Sequence, residues 1–135
     1  RDLHSFPTRR SSDLVSFYGR LERNEVFKQV NNCDIFSLPS WSEGFGVVYI
    51  EAMMLGKPAI GCIGQGIDGT IQHGENGFLV KPSENELAEV WEMLIDDKDL
   101  RLSIGSNAKK TILNNYLWNG ICKKIVHVYK GEVNI

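Results

Sequence analysis

The stretch SEGFGVVYIEAMMLGKP, residues 42–58, decides which fold this sequence predicts. Residues 47–50 alone favour a strand, because they are β-branched and aromatic. The apolar run nevertheless continues to Leu55, and Gly56 and Pro58 follow it, which is the usual pattern at the end of a helix. Its length also favours a helix over a strand. The sequence therefore predicts a buried helix from about Phe45 to Leu55.

Two glycines, Gly44 and Gly46, lie at the start of that helix. The first backbone N–H groups of a helix have no partner within it, and small residues leave these groups open to a ligand. Such a helix start binds anions without a basic side chain. The glycines therefore predict a site for a phosphate or a sugar oxygen.

Glutamates flank the same segment at positions 43 and 51, and Glu51 is the one charged residue within residues 47–55. Burying an unpaired carboxylate is costly, so Glu51 needs a polar partner. Vicinal hydroxyls of a ligand would serve, as they do in dinucleotide sites. In the alternative interpretation, Glu43 only complements the helix dipole and Glu51 faces water.

Short apolar runs bounded by glycine or proline predict buried strands elsewhere in the chain. They occupy residues 15–19, 33–39, 57–64 and, after an Asn-Gly turn, 78–80. A helix capped by Asn24 is predicted over residues 24–32, with Val26, Phe27 and Val30 on one face. Strands that alternate with helices predict an α/β, Rossmann-like fold with a parallel sheet. Its ligand would lie beyond the carboxyl ends of the strands.

Three helices are predicted after residue 82. Ser83 and Glu86 form a capping box for the first, and Asp97 caps the second. The third spans residues 118–130. The apolar stripes predicted to face the core are Leu87, Val90, Trp91, Leu94 and Ile95; Leu100, Ile104, Ala108 and Ile112; and Trp118, Ile121, Cys122, Ile125, Val128 and Tyr129. The basic side of the third helix is interpreted as a solvated face, with a membrane surface as the alternative.

Charge and cysteine content narrow the function classes. A formal net charge of -2 provides no basic face for nucleic acid. Cys33, Cys62 and Cys122 have neither disulfide nor zinc spacing, which indicates a reducing, cytoplasmic setting. His73 and His127 are interpreted as structural or solvated. Asp97 and Asp99 form an Asp-x-Asp pair at a helix start, where capping explains them.

The first fourteen residues, RDLHSFPTRRSSDL, have no helical or alternating pattern. They match the in-frame translation of a common sequencing adapter. We therefore interpret residues 1–14 as a non-native artefact and residues 15–135 as part of a domain. A natural disordered arm is the alternative.

PSWSEGFGVVYIEAMMLGKPAIG, residues 39–61, resembles the signature of the nucleotide-sugar-binding half of GT-B glycosyltransferases, especially the retaining family 4 with its Glu-x7-Glu motif. VSFYG and NNCDIFSLPS upstream and GQGIDGTIQHGENGFLVKP downstream extend the resemblance over residues 15–129. It implies a C-terminal GT-B domain that is truncated at its N-terminus and ends in three helices.

By this resemblance, Glu43 lies against the donor sugar as the catalytic glutamate, and Gly44, Phe45 and Gly46 meet sugar and diphosphate oxygens. Glu51 holds the ribose hydroxyls, and Gly19 lies near the donor nucleotide. The loop at residues 64–66 faces the same cleft but departs from the common Gly-Gly-x-Pro-Glu form, so no role is carried over to Asp68.

The implied reaction transfers a sugar from a nucleotide-diphosphate donor to an acceptor with retention, without a metal or other cofactor. The implied partners are the donor and an N-terminal acceptor domain, without which this part would be inactive. A lipid-linked acceptor would bring the intact enzyme to a membrane as a peripheral protein. A GT-B epimerase or phosphorylase, or a nonenzymatic binding module with the same fold, is the alternative.

Overall fold

The computed structural model describes residues 14–130. The strands are β1 (Phe36–Ser37), β2 (Ala59–Cys62) and β3 (Phe78–Val80). The helices are α1 (Arg23–Asn32), α2 (Val47–Met54), α3 (Glu84–Asp96), α4 (Lys98–Asn115) and α5 (Trp118–Tyr129). The three strands confirm the predictions downstream of residue 32, although β1 and β2 are shorter than the apolar runs that contain them.

The strands form one parallel sheet in the order β1-β2-β3. Phe36 pairs with Ala59 across the first ladder, and Ile60 pairs with Phe78 across the second. Because all strands run in the same direction, the loops that follow them meet at one edge of the sheet. The structure therefore confirms the α/β prediction and brings residues 38–46 close to residues 63–66.

The core has two parts because successive strand residues face opposite sides of the sheet. Ala59 and Leu79 join the cluster that contains Tyr49 of α2. Ile60 belongs to the second cluster, which contains Leu94 of α3. Helices α2 and α3 thus cover opposite faces of the sheet, and α4 contributes to both clusters.

Helix α2 confirms the central prediction, with its first helical residue two positions later than expected. Gly46 is the N-cap and has a left-handed backbone with φ of +70°. A Cβ on Gly46 would lie 2.5 Å from Cδ2 of Tyr49. Glycine is required here both for its backbone and for its small size, since the Tyr49 ring packs where a side chain would be.

Two predictions before α2 are wrong. Residues 15–19 form no strand in the described part of the chain, and Phe17 is 93% exposed. An apolar run becomes a buried strand only when a neighbouring strand pairs with it, which a local pattern cannot show. Asn24 does not cap α1: Glu22 is the N-cap and forms a reciprocal capping box with Glu25. Val30 alone of the predicted α1 stripe is buried.

The caps of α3 and α4 are largely as predicted. The Ser83 hydroxyl accepts from the Glu86 N–H. The Glu86 carboxylate does not return to Ser83, however, and accepts at 2.8 Å from the N–H of Lys81. The Asp97 carboxylate accepts at 2.8 Å from the N–H of Leu100, which confirms the capping interpretation of the Asp-x-Asp pair.

The apolar stripes are confirmed in part. The predicted stripe of α4 is buried at Ile104, Ala108 and Ile112. In α3, Val90 and Leu94 are buried, whereas Trp91 and Ile95 are exposed. The inward orientation predicted for α5 is wrong, because none of its residues is buried within the described chain. Amphipathic spacing shows which side of a helix is apolar, but it does not supply a surface to cover that side.

Candidate functional site

Glu43 lies at the carboxyl edge of the sheet, in the loop between β1 and α2. Its backbone N–H donates to Oε1 of Gln65 at 3.2 Å. Its carbonyl accepts from the N–H of Gly66 at 3.4 Å. The loop that follows β2 therefore binds both backbone polar groups of Glu43, while the residue itself stays partly exposed.

Gly66 allows the close approach of these two loops. A Cβ on Gly66 would overlap the carbonyl of Gly44 and would lie 2.8 Å from Cα of Phe45. The N–H of Gly64 donates at 2.7 Å to Asp68, which closes the same loop. The family resemblance predicts no role for Asp68 and places Gly66 only in a cleft-facing loop. The contact itself depends on the fold, since the two loops are about twenty residues apart.

The predicted helix-start residues differ in exposure. Gly44 is exposed, and a Cβ there would meet nothing within 4 Å. Phe45 is 49% exposed, and its ring centroid lies 6.1 Å from that of Tyr116, which follows α4. Gly46 is buried under Tyr49. The open surface at the start of α2 therefore consists of Gly44 and one side of Phe45.

Tyr49 connects α2 to the end of β1. Its hydroxyl donates to the carbonyl of Leu38, and its side chain is fully buried. Burial raises the pKa of Tyr49 to about 12, with smaller contributions from Cys62 and Glu43. The phenol thus stays neutral and fixes α2 against the strand whose loop carries Glu43.

Glu51 forms an ion pair with Arg23 of α1, with 3.0 Å between Oε1 and Nη2. The Arg23 side chain is 88% exposed, whereas that of Glu51 is 33% exposed. An exposed pair of this kind contributes at most about 1 kcal/mol to stability. The polar partner expected for Glu51 is therefore supplied by the protein, and contact with a ligand stays a prediction. Arg23 could not have been found from spacing, because it lies 28 positions away.

A cavity of about 290 Å³ adjoins this ion pair, between α1 and α2. Its polar lining comes from Arg23, Asn24 and Glu51, and its apolar lining from Val26, Phe27, Met54 and Leu55. Apolar walls with a few polar groups are typical of small-molecule sites. Gly19 does not line this cavity; it is exposed, with φ of +61°.

The remaining candidate functional groups of residues 14–130 are metal ligands, histidine and cysteine side chains, and membrane-spanning helices. No group of three or more His, Cys, Asp or Glu side chains in this range could hold a metal ion. Nδ1 of His73 lies 2.9 Å from the carbonyl oxygen and 3.2 Å from the backbone nitrogen of Leu79, and the ring packs edge-on against Phe78, which agrees with a structural role. Burial raises the pKa of the Cys33 and Cys62 thiols. None of the helices described is both long and apolar enough to cross a bilayer.

The fold and the carboxyl-edge loops define an α/β domain of the GT-B glycosyltransferase class. Sucrose-phosphate synthase from Thermosynechococcus elongatus superposes with a TM-score of 0.75 at 28% identity, over 88% of this chain and 30% of that one. Anabaena Alr3699/HepE in complex with UDP and glucose gives a TM-score of 0.67 at 30% identity, over 77% of this chain and 29% of that one.

The chain belongs to the glycosyl transferases group 1 family, whose profile matches residues 8–111. The match begins inside residues 1–14, so the interpretation of that segment as non-native stays a prediction.

Two related glycosyltransferases align with most of this chain. The capsular polysaccharide biosynthesis glycosyltransferase CapM of Staphylococcus aureus is 35% identical over 87% of this chain and 28% of its own length. The N,N'-diacetylbacillosaminyl-diphospho-undecaprenol alpha-1,3-N-acetylgalactosaminyltransferase of Campylobacter jejuni is 32% identical over 88% of this chain and 31% of its own length. This chain therefore spans less than a third of either relative.

Proposed function

We propose that this chain is the donor-binding part of a retaining glycosyltransferase that uses a nucleotide-diphosphate sugar. The observation that carries the proposal is the junction of the two carboxyl-edge loops, which fixes the backbone of Glu43 beside the open start of α2. Ligands of open α/β sheets bind beyond this edge. Solved relatives in complex with UDP, or with UDP and glucose, support the same class of donor.

Each proposed contact has its own chemical task. The exposed amide region at Gly44 and Phe45 receives sugar or diphosphate oxygens, as the N-terminus of a helix favours anions. Glu43 contacts the donor sugar. Glu51, at the edge of the cavity between α1 and α2, accepts hydrogen bonds from the ribose hydroxyls. The proposed contact of Gly19 with the nucleotide rests on the family resemblance alone.

In the proposed reaction, an acceptor hydroxyl oxygen bonds to the anomeric carbon as the bond from that carbon to the diphosphate breaks. The acceptor proton passes to the leaving phosphate on the same face, so the configuration is retained. The protein positions the donor and stabilises the charge that develops on the diphosphate. No step requires a metal, and residues of a domain outside this chain complete the acceptor site.

Calorimetry on the intact enzyme that carries this sequence tests the donor site, with UDP-glucose and GDP-mannose as probes. Glu51→Ala should weaken binding of the preferred donor by about 10- to 100-fold, because hydrogen bonds to a charged group contribute roughly 1.5–3 kcal/mol. Glu89→Ala, which removes an exposed glutamate from α3, should leave donor affinity unchanged. Equal affinities for the Glu51 variant and the unaltered enzyme would refute the assignment of Glu51.

The reaction class has a separate test. The anomeric configuration of the product, followed by NMR, should match that of the donor. Glu43→Gln should lower turnover at saturating donor while the donor dissociation constant changes little, because the amide keeps the shape of the side chain but loses its charge. An inverted product would rule out the retaining mechanism.

A further inference from the structure

A second groove, of about 330 Å³, lies at the carboxyl edge of the sheet. Its walls come from the loop after β1, through Pro39 and Trp41, and from residues 81–84 after β3, with Leu87 of α3. It shares no lining residue with the cavity beside Glu51. The groove adjoins α3, whereas the cavity adjoins α2, which covers the opposite face of the sheet.

Trp41 is the distinctive residue of this groove. Its side chain is 72% exposed, although a large aromatic residue normally contributes to stability by burial. It precedes Glu43 by two residues in the same loop. An exposed indole so close to a proposed catalytic glutamate suits binding of a ligand better than packing of the core.

The lining of the groove matches the chemistry of a carbohydrate. The indole and the two prolines, Pro39 and Pro82, offer flat apolar surface against which the C–H face of a pyranose ring can stack. The charged side chains of Lys81 and Glu84 are exposed at the groove and can hydrogen-bond sugar hydroxyls. A nucleic acid or a phosphorylated lipid would require more positive charge than one lysine supplies.

We propose that this groove, centred on Trp41, binds a saccharide unit of the acceptor. The inference rests on the proposed function, because a donor held by Glu51 and Glu43 leaves the α3 side of the Glu43 loop open to the other substrate. The groove then holds the acceptor glycan in the orientation from which its hydroxyl reaches the sugar beside Glu43. Trp41 is thus a specificity-determining residue that does not contact the donor.

NMR of the tryptophan indole N–H signals, recorded on the intact enzyme without donor, tests the groove directly. Maltotriose and triacetylchitotriose serve as probes, and Trp41→Ala and Trp118→Ala assign the signals. At least one saccharide should shift the Trp41 signal, and Trp41→Ala should weaken its binding about 3- to 10-fold, which is the range expected for loss of one aromatic contact. Trp118→Ala is the matched control, because Trp118 is 78% exposed on α5.

The donor affinity of Trp41→Ala separates this inference from the proposed function. An unchanged donor dissociation constant together with lost saccharide binding supports the acceptor groove. Weaker donor binding in this variant overturns it, because Trp41 would then belong to the donor site. A Trp41 signal that responds to neither saccharide also overturns it. So does Trp41 fluorescence that acrylamide cannot quench, because another part of the enzyme would then cover the groove. A saccharide response in an enzyme that binds no donor refutes only the proposed function.

Discussion

Replacing Gly66 with alanine should separate the two loops on which the site depends. The added methyl group would overlap the Gly44 carbonyl and would lie 2.8 Å from Cα of Phe45. Gly66 has no positive φ, so its backbone accepts alanine and the steric contact is the whole effect. Ordinary contact requires the loops to move apart by about 2 Å, because non-bonded carbon atoms pack at roughly 3.5–4.0 Å.

Two losses follow from that movement. Overpacking of this size costs about 1–3 kcal/mol of unfolding free energy. The hydrogen bonds of Glu43 to Gln65 and Gly66, at 3.2 and 3.4 Å, would break as the loops separate. A shift of about 1 Å in a catalytic group can lower turnover roughly 100-fold, so Gly66→Ala should reduce transferase activity by at least that factor.

Urea denaturation and steady-state kinetics of the intact enzyme measure the two effects. Gly44→Ala is the steric control for stability, because a Cβ at that position meets nothing within 4 Å and φ is not positive. It should leave the unfolding free energy within about 0.5 kcal/mol, as surface substitutions commonly do. If Gly66→Ala has unaltered stability and turnover, the loop junction does not position Glu43.

Two further predictions concern the elements around the site. Since burial raises the pKa of Tyr49 to about 12 from an ordinary value near 10, stability is highest below pH 10 and falls as the pH rises toward 12. The unfolding free energy, measured by denaturation over this pH range, should fall by roughly 2–3 kcal/mol in the unaltered protein, and Tyr49→Phe should abolish this fall. Tyr129→Phe, which changes an 88% exposed residue, should keep it. The same pH dependence in both variants would contradict the burial argument. Asp97→Ala should lower the unfolding free energy by about 1 kcal/mol through loss of the cap on Leu100. Asp99→Ala, which removes only a charge in the first turn, should cost less, and a larger loss there would reverse the assignment of the cap.

Elements were predicted correctly where the interactions that define them join residues close together in the chain. Ser83 and Asp97 cap the helices that they precede, because a cap bond joins residues three apart in the chain. The long apolar run with Gly56 behind it specified α2 against the strand preference of residues 47–50. These interactions depend on residues that are neighbours in the sequence, so they can be predicted from the sequence directly.

The predictions were wrong where they required a packing or capping partner that the local pattern does not specify. The apolar residues 15–19 and the stripe of α5 have the pattern of core elements, yet residues 15–19 are exposed and no residue of the α5 stripe is buried in the described chain. Asn24 was a suitable cap by residue type, but the reciprocal bonds of Glu22 and Glu25 start α1 earlier. A pattern gives the preference of a segment, whereas burial also requires a second surface.

Residue types and their spacing along the chain were enough to predict the fold class, the glycine-rich start of α2 and the two glutamates of the candidate site. The residues that surround them come from distant parts of the chain: Gln65 and Gly66 bind the backbone of Glu43, and Arg23 pairs with Glu51. The groove at Trp41 likewise exists only because the loops after β1 and β3 meet at one edge of the sheet. Capping and periodicity act over a few residues, whereas these contacts join residues 22 to 48 positions apart, which only the packed sheet brings together.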